Sequence, residues 1–179
     1  SLHRLMCYVN STKNHILEGY VGDSPDKISL TLYCDADFAG DAADQHRSTS
    51  GAILYLTGPY TCMPVGAKST KQPNTATSTP EAEIIAAFQA TKCMALPAQS
   101  LWEGVFNRPV KCEVKEDNQT CLQVIKTGRN PTRRHVPNHQ GVSLDWLHQA
   151  FSSDTLKMVY QQTDGQKADI FTKVFKEIL

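Results

Sequence analysis

Ile28, Leu30, Leu32 and Cys34 alternate with Ser29, Thr31, Tyr33 and Asp35. A period of two is the signature of a strand with one buried face. "GAILYLTG" from residue 51 repeats the theme, and the Gly58-Pro59 turn leads into a third strand, "YTCMPVGAK". Connections this short favour an antiparallel meander. The period then changes. From about 80 to 95, Ile84, Ala87, Phe88 and Ala95 fall on one helical stripe with Ile85 beside it. Thr79 is the expected cap, Pro80 suits the first turn, and Leu96-Pro97 is expected to break the helix before a further helical piece, "AQSLWEGVF". "VKCEVKED" reads as a fourth strand, "NQTCLQVIKTG" as a short helix closed by Gly128, and "GRNPTRRHVPNH" as an irregular loop. Val142, Trp146, Leu147 and Phe151 mark another helix, "TLKMVYQQT" a last strand and "QKADIFTKVFKEIL" a last helix. Near the start, Leu2, Leu5, Met6, Val9, Ile16 and Leu17 suit a short amphipathic helix that docks on something, and "GDSPDK" at 22–27 is a turn or linker.

Three hairpin-linked strands followed by strand–helix alternation predict an α/β fold: a five-stranded mixed sheet flanked by helices. With 179 residues, the chain fits one domain at 26–179 plus an appended segment at 1–25. Hydrophobic residues at 40% and charged residues at 20% fit a soluble globular protein, and no apolar run approaches the ~20 residues of a membrane span. The start, "SLHRLMCYVNSTK", lacks the pattern of a secretory signal and reads as a cut from a longer chain. Six cysteines without a C-x-x-C pair fit reduced thiols in a cytoplasmic or nuclear, non-secreted setting. His135 and His139 have metal-ligand spacing but no cysteine pair to accompany them, and the N-x-T matches at Asn10 and Asn118 carry little meaning without a secretory route. Net charge is zero, yet its distribution is uneven. Residues 45–80 and 118–144 contain no acid, whereas acids gather at 35–44, 81–83 and 113–117.

The acids also recur at matching places in the element order. Asp35 ends the first strand, Asp117 ends the fourth, Glu83 lies in the first turn of the helix between them, and Asp169 opens the last helix. Strand ends beside helix starts are where ligands gather in such sheets. Carboxylates sharing one cleft repel each other unless a cation neutralises them, and hard oxygen donors suit Mg²⁺ or Mn²⁺. Each acid also has a plainer reading: Asp35 and Asp37 as turn residues, Glu81 and Glu83 against a helix dipole, Asp117 and Asp169 as caps, Asp41 and Asp44 as turn or surface acids. Periodicity puts Asp35 and Asp37 on one face and does not choose between them.

The motifs "YCDADFAGD", "RSTSGAILYL", "AKSTKQPNTATSTPEAEIIAA", "EDNQTCLQVI", "NPTRRH" and "ADIFTK" choose. In order and spacing they resemble the ribonuclease H domain of the Pol polyprotein of copia-type LTR retrotransposons, from about 33 to 173. The resemblance makes residues 1–25 the tail of the reverse transcriptase. It implies that Asp35, Glu83, Asp117 and Asp169 hold two Mg²⁺ ions, Mn²⁺ being the alternative, and cut the RNA strand of an RNA–DNA hybrid during reverse transcription. It further implies no small-molecule cofactor, no membrane, and the reverse transcriptase of the same polyprotein as partner, within a virus-like particle or the nucleus. Ser48, Thr49, Ser50, Asn118 and Gln119 then become candidates for contacts to phosphate and 2′-OH, and Lys68, Lys71, Arg133 and Arg134 for phosphate neutralisation. Trp102 and Trp146 sit among apolar neighbours and are expected in the core.

Four departures stand out: Pro80 before "EAE", Glu116 beside Asp117, expected to face away from it, a "RRHVPNHQGVSLDW" loop unlike the commoner family form, and a "YQQTDGQKAD" segment with no histidine. The rival reading is an inert ribonuclease H-like remnant or connection module that binds hybrid or supports the polymerase. An integrase-like nuclease of the same fold would need an acid spacing that "DNQ" and "ADIFTK" do not supply.

Overall fold

The computed structural model describes residues 2–39, 47–129 and 141–173. Its sheet is built from β1 (Tyr20–Val21), β2 (Ser29–Asp37), β3 (Thr49–Gly58), β4 (Thr61–Lys71), β5 (Cys112–Glu116) and β6 (Leu156–Tyr160). Across the sheet the order is β1-β4-β3-β2-β5-β6. β2, β3 and β4 form the expected antiparallel meander, and β5 and β6 add in parallel beside β2. The helices are α1 (Leu2–Thr12), α2 (Thr79–Ala90), α3 (Leu96–Phe106), α4 (Gln119–Thr127) and α5 (Leu144–Phe151). The sheet thus has six strands where five were expected. The extra one is β1, a two-residue strand paired with Thr61 and Cys62, too short to carry a period.

The alternation in β2 does what it predicts. Leu30, Leu32 and Cys34 are fully buried and join Leu54, Leu56, Val110, Cys112 and Val114 in the core. Trp102 and Trp146 pack against this core as expected, Trp146 edge-on to Phe88 at 5.1 Å between ring centroids. One irregularity marks the β3–β4 pair. Leu54 pairs with Gly66 and Tyr55 with Pro64, leaving Val65 as an extra residue in a bulge.

α2 departs from the single stripe. Glu81 to Ala87 are all buried, because the helix is enclosed between the sheet and its neighbouring helices and its alanines let those neighbours come close. Ser78, one residue before the expected Thr79, caps it: its hydroxyl accepts the Glu81 N–H at 3.4 Å. Nor does Pro97 break the helix. Thr91–Ala95 form a π turn in which the Leu96 N–H donates to the Thr91 carbonyl, and α3 continues directly. A proline in an α-helix lacks an N–H and clashes with the carbonyl four residues back; the wider turn moves that carbonyl aside.

α1 forms as expected, but none of its residues is buried, and Leu2, Leu5, Met6 and Val9 remain exposed. At the other end, residues 167–171 make a 3-10 turn in place of the start of the expected last helix. Among the described residues, no helix is long and apolar enough to cross a membrane. The cysteines are all free.

Candidate metal centre and nucleic-acid interface

Three elements deliver carboxylates to one point. Asp35 stands near the end of β2, Asp117 directly follows β5, and Glu83 lies just inside α2. One carboxylate oxygen from each lies within 4.8 Å of the others. Asp35 and Glu83 are buried, and Asp117 is half-buried. Asp37, on the same strand face, is not in this group, so the backbone makes the choice that periodicity left open. Glu81 is engaged in starting α2: its carboxylate accepts from the Thr77 backbone N–H at 2.9 Å and from the Thr77 hydroxyl.

Burial and mutual repulsion act on these acids together. Burial is the main force holding the Glu83 carboxyl up, to about 10, reinforced by Glu116, Asp35 and Asp117. Asp35 is also raised, chiefly by burial, against the opposing hydrogen bond from Thr172. Glu116 is pushed up to about 8, again by burial first. Glu116 alternates with Asp117 as expected: it lies outside the group of three and is completely buried on the core side of β5. Its carboxylate accepts the Cys34 thiol at 3.4 Å and the Asn118 N–H at 3.1 Å. The reason lies in β5 itself: Glu116 shares the inward parity of Cys112 and Val114.

A divalent cation fits this donor set. The oxygens are hard and closely spaced, and Glu83 Oε2 and Asp169 Oδ1 are buried with no hydrogen-bond partner. Asp169 lies outside the group of three. Its other oxygen is ion-paired with Lys173, while its charge still raises Asp35.

The segment carrying Asp169 is strapped across the sheet. Gln166 Nε2 donates to the Cys34 carbonyl at 2.9 Å, the Ser69 hydroxyl donates to the Phe171 carbonyl at 2.6 Å, and the Thr172 hydroxyl donates to Asp35. Lys167 Nζ stands over the Tyr55 ring, 4.5 Å from its centroid. Gly51, paired with Asp35 across β2–β3, makes the approach possible. A Cβ there would lie 2.7 Å from Thr172 Cγ2 and 3.0 Å from the Ala168 carbonyl oxygen. Gly51, Gln166, Thr172, Lys173 and Glu116 are the residues that reading by single acids overlooks, although all but Gln166 lie within the quoted motifs.

The expected nucleic-acid contacts divide. Ser48 is fully buried, its hydroxyl accepting the Ala39 N–H at 3.3 Å, and Ser50 is buried with its hydroxyl accepting from Gln72 at 2.9 Å. Both hydroxyls are turned into the fold, Ser48 to the chain leaving β2 and Ser50 to the Gln72 amide. Asn118 likewise caps α4, accepting the Cys121 N–H at 2.9 Å. Thr49 is half-buried, and Lys68 and Gln119 are exposed. Lys71 donates to the Arg47 carbonyl at 3.5 Å. Arg133, Arg134, His135 and His139, like Asp41 and Asp44, lie outside the described residues.

No protein-family model matches the chain. It is 29% identical over 177 residues, 97% of its length, to the retrovirus-related Pol polyprotein from transposon RE1 of Arabidopsis thaliana. It is 29% identical over 150 residues, 81% of its length, to that from transposon TNT 1-94 of Nicotiana tabacum. It spans only 11% and 10% of those relatives. Among solved structures, the PFV RNase H domain matches with a TM-score of 0.54 at 14% identity, covering 82% of this chain and 93% of that one. LC11-RNase H1, solved in complex with an RNA/DNA hybrid, matches with a TM-score of 0.52 at 14% identity, covering 80% and 94%. The fold is that of ribonuclease H, and the relatives are Pol polyproteins of plant transposons, as the motifs implied.

Proposed function

We propose that this chain, a ribonuclease H-like domain related to the Pol polyproteins of plant transposons, hydrolyses the RNA strand of RNA–DNA hybrids during reverse transcription of a copia-type element. The observation that carries this reading is the meeting of Asp35, Glu83 and Asp117 within 4.8 Å, two of them buried and the third half-buried, where their charges repel. Such a cluster is costly to folding on its own and useful only with cations.

Asp35, Glu83 and Asp117 would hold the ions, with Asp169 joining once its oxygen leaves Lys173. Two bound Mg²⁺ ions, or Mn²⁺, supply an activated water and stabilise charge on the leaving 3′ oxygen. The chain's own residues prepare this. Thr172 orients Asp35 through its hydroxyl, the free Glu83 oxygen points the helix acid at the shared site, and Glu116, held by the Cys34 thiol and the Asn118 N–H, lies buried next to Asp117. Lys173 would hold Asp169 in reserve. Lys68 and Lys71, with Arg133 and Arg134, would neutralise phosphates, and Gln119 and Thr49 would reach the backbone and the 2′-OH. The exposed apolar face of α1 supports the reading of residues 1–25 as the tail of the polymerase that partners this domain.

The test is cleavage of an end-labelled RNA–DNA hybrid with Mg²⁺, comparing wild type with Asp35→Asn. We expect cleavage of the RNA strand by wild type, none by the variant, and intact double-stranded DNA. Equal cleavage by both proteins, or none by wild type with Mg²⁺ or Mn²⁺, overturns the assignment and favours an inert, hybrid-holding module.

A further inference from the structure

A groove of about 460 Å³ lies between α4, α5 and the edge strand β6, outside the carboxylate cluster. It is lined by apolar Leu122, Phe151 and Met158 together with Lys126, Lys157 and Tyr160. None of its described lining residues is acidic. Lys126 and Lys157 are exposed, and Tyr160 is 45% exposed. Lysines beside an accessible aromatic ring are the makings of a single-strand nucleic-acid track: the cations take phosphates, and the ring takes a base of any identity.

Position strengthens this. Tyr160 pairs across the sheet with Glu116, the residue before Asp117, and Gln119 at the groove's other side is two residues beyond that acid. One end of the groove thus adjoins the β5 strand end that leads to Asp117, and its lining follows α4 from Gln119 to Lys126. Seven residues of helix at ~1.5 Å each give roughly 10 Å, room for about three nucleotides at ~3.4 Å per step. Its walls are fixed in advance. His148 on α5 contacts the Ile125 carbonyl through Nδ1 at 3.2 Å, and Gly128, at φ 65°, closes the end of α4 against the same imidazole. Beyond Arg129 the sequence continues into the acid-free basic stretch that holds Arg133 and Arg134.

We infer that this groove receives a single-stranded length of nucleic acid continuing from the carboxylate site, with Lys126 and Lys157 on its phosphates and Tyr160 stacked on a base. The inference rests on the nuclease reading for what lies in the site, but its test does not need cleavage. Fluorescence anisotropy without divalent cations would follow the full chain binding a labelled single-stranded oligonucleotide, and a labelled poly-glutamate peptide as the competing anion, over a salt series. Each phosphate contact adds about 0.7 to the salt slope for single strands. The Lys126→Ala/Lys157→Ala protein should lose about 1.4 from the slope and bind roughly 10-fold more weakly, and Tyr160→Ala should weaken oligonucleotide binding about 5-fold or more. Poly-glutamate binding should be indifferent to Tyr160. An unchanged slope in the double variant overturns the inference. So does loss of peptide and oligonucleotide binding in equal measure with no effect of Tyr160→Ala, which would mark a site for acidic protein. Failure of wild type to cut hybrid would instead strike the nuclease assignment and leave the oligonucleotide result to be judged alone.

Discussion

Replacing Glu83 by glutamine should make the metal-free protein more stable while destroying the proposed nuclease activity. The carboxyl is buried among Glu116, Asp35 and Asp117 and held up to about 10. In the unfolded chain it titrates near 4.5. Below pH 4.5 both states carry the proton and nothing is lost. Between 4.5 and about 10 the unfolded chain releases a proton that the folded chain retains, so folding is penalised increasingly as pH rises. At pH 8 the gap is worth on the order of a few kcal/mol. Glutamine keeps the shape, cannot ionise, and can donate its amide to an adjacent carboxylate. At about 2–4 °C per kcal/mol for a domain this size, the variant should melt roughly 10 °C above wild type at pH 8 without divalent cation, and within a few degrees of it at pH 5. Mg²⁺ should raise the melting temperature of wild type at pH 8 and leave the variant's little changed. Differential scanning calorimetry at the two pH values, with and without Mg²⁺, reads all of this. A Glu83→Gln protein that melts lower than wild type at pH 8 without cation would refute the electrostatic reasoning.

Gly51→Ala should push Thr172 and Ala168 off β3, lowering stability by about 1–3 kcal/mol and hybrid cleavage at least 10-fold; unaltered cleavage would show that the strap is not needed. Ser78→Ala removes the cap of α2 and should cost about 1 kcal/mol, a fall of about 2–4 °C in melting temperature, measured with Mg²⁺ absent so that the acids do not mask it. Arg133→Ala/Arg134→Ala should reduce the salt slope of hybrid binding by about 1.8; a slope equal to wild type would make that stretch mere surface.

Much of this arrangement is written in residue parity. The alternation from Ile28 to Cys34 locates β2, and the same count carried through Val110, Cys112 and Val114 places Glu116 in the core, a step that attention to Asp117 alone passes over. Choosing Asp35 over Asp37 needed either the motif or the backbone, because two residues of equal parity differ only in how far along the strand they stand. Other features leave no mark in a single sequence. β1 is shorter than any period, Pro97 looks like a helix breaker until a π turn absorbs it, and α2 is enclosed on several sides by elements distant along the chain. Ser48 and Ser50 show the limit in the other direction: short polar residues near a phosphate-binding motif look available, but burial decides whether their hydroxyls are free.

The strap formed by residues 166–173 also has a bearing on time. Its hydrogen bonds join Gln166 to Cys34 and Thr172 to Asp35 across 132 and 137 residues of chain. Asp35, Glu83 and Asp117 can be translated and begin to pack while Asp169 is still unmade. Contacts so distant close slowly, because long loops must be pinned before they reward folding. On a ribosome, then, the acid proposed to join the site arrives last, and a nascent chain would lack the Thr172 bond that orients Asp35 until residue 172 has emerged and docked.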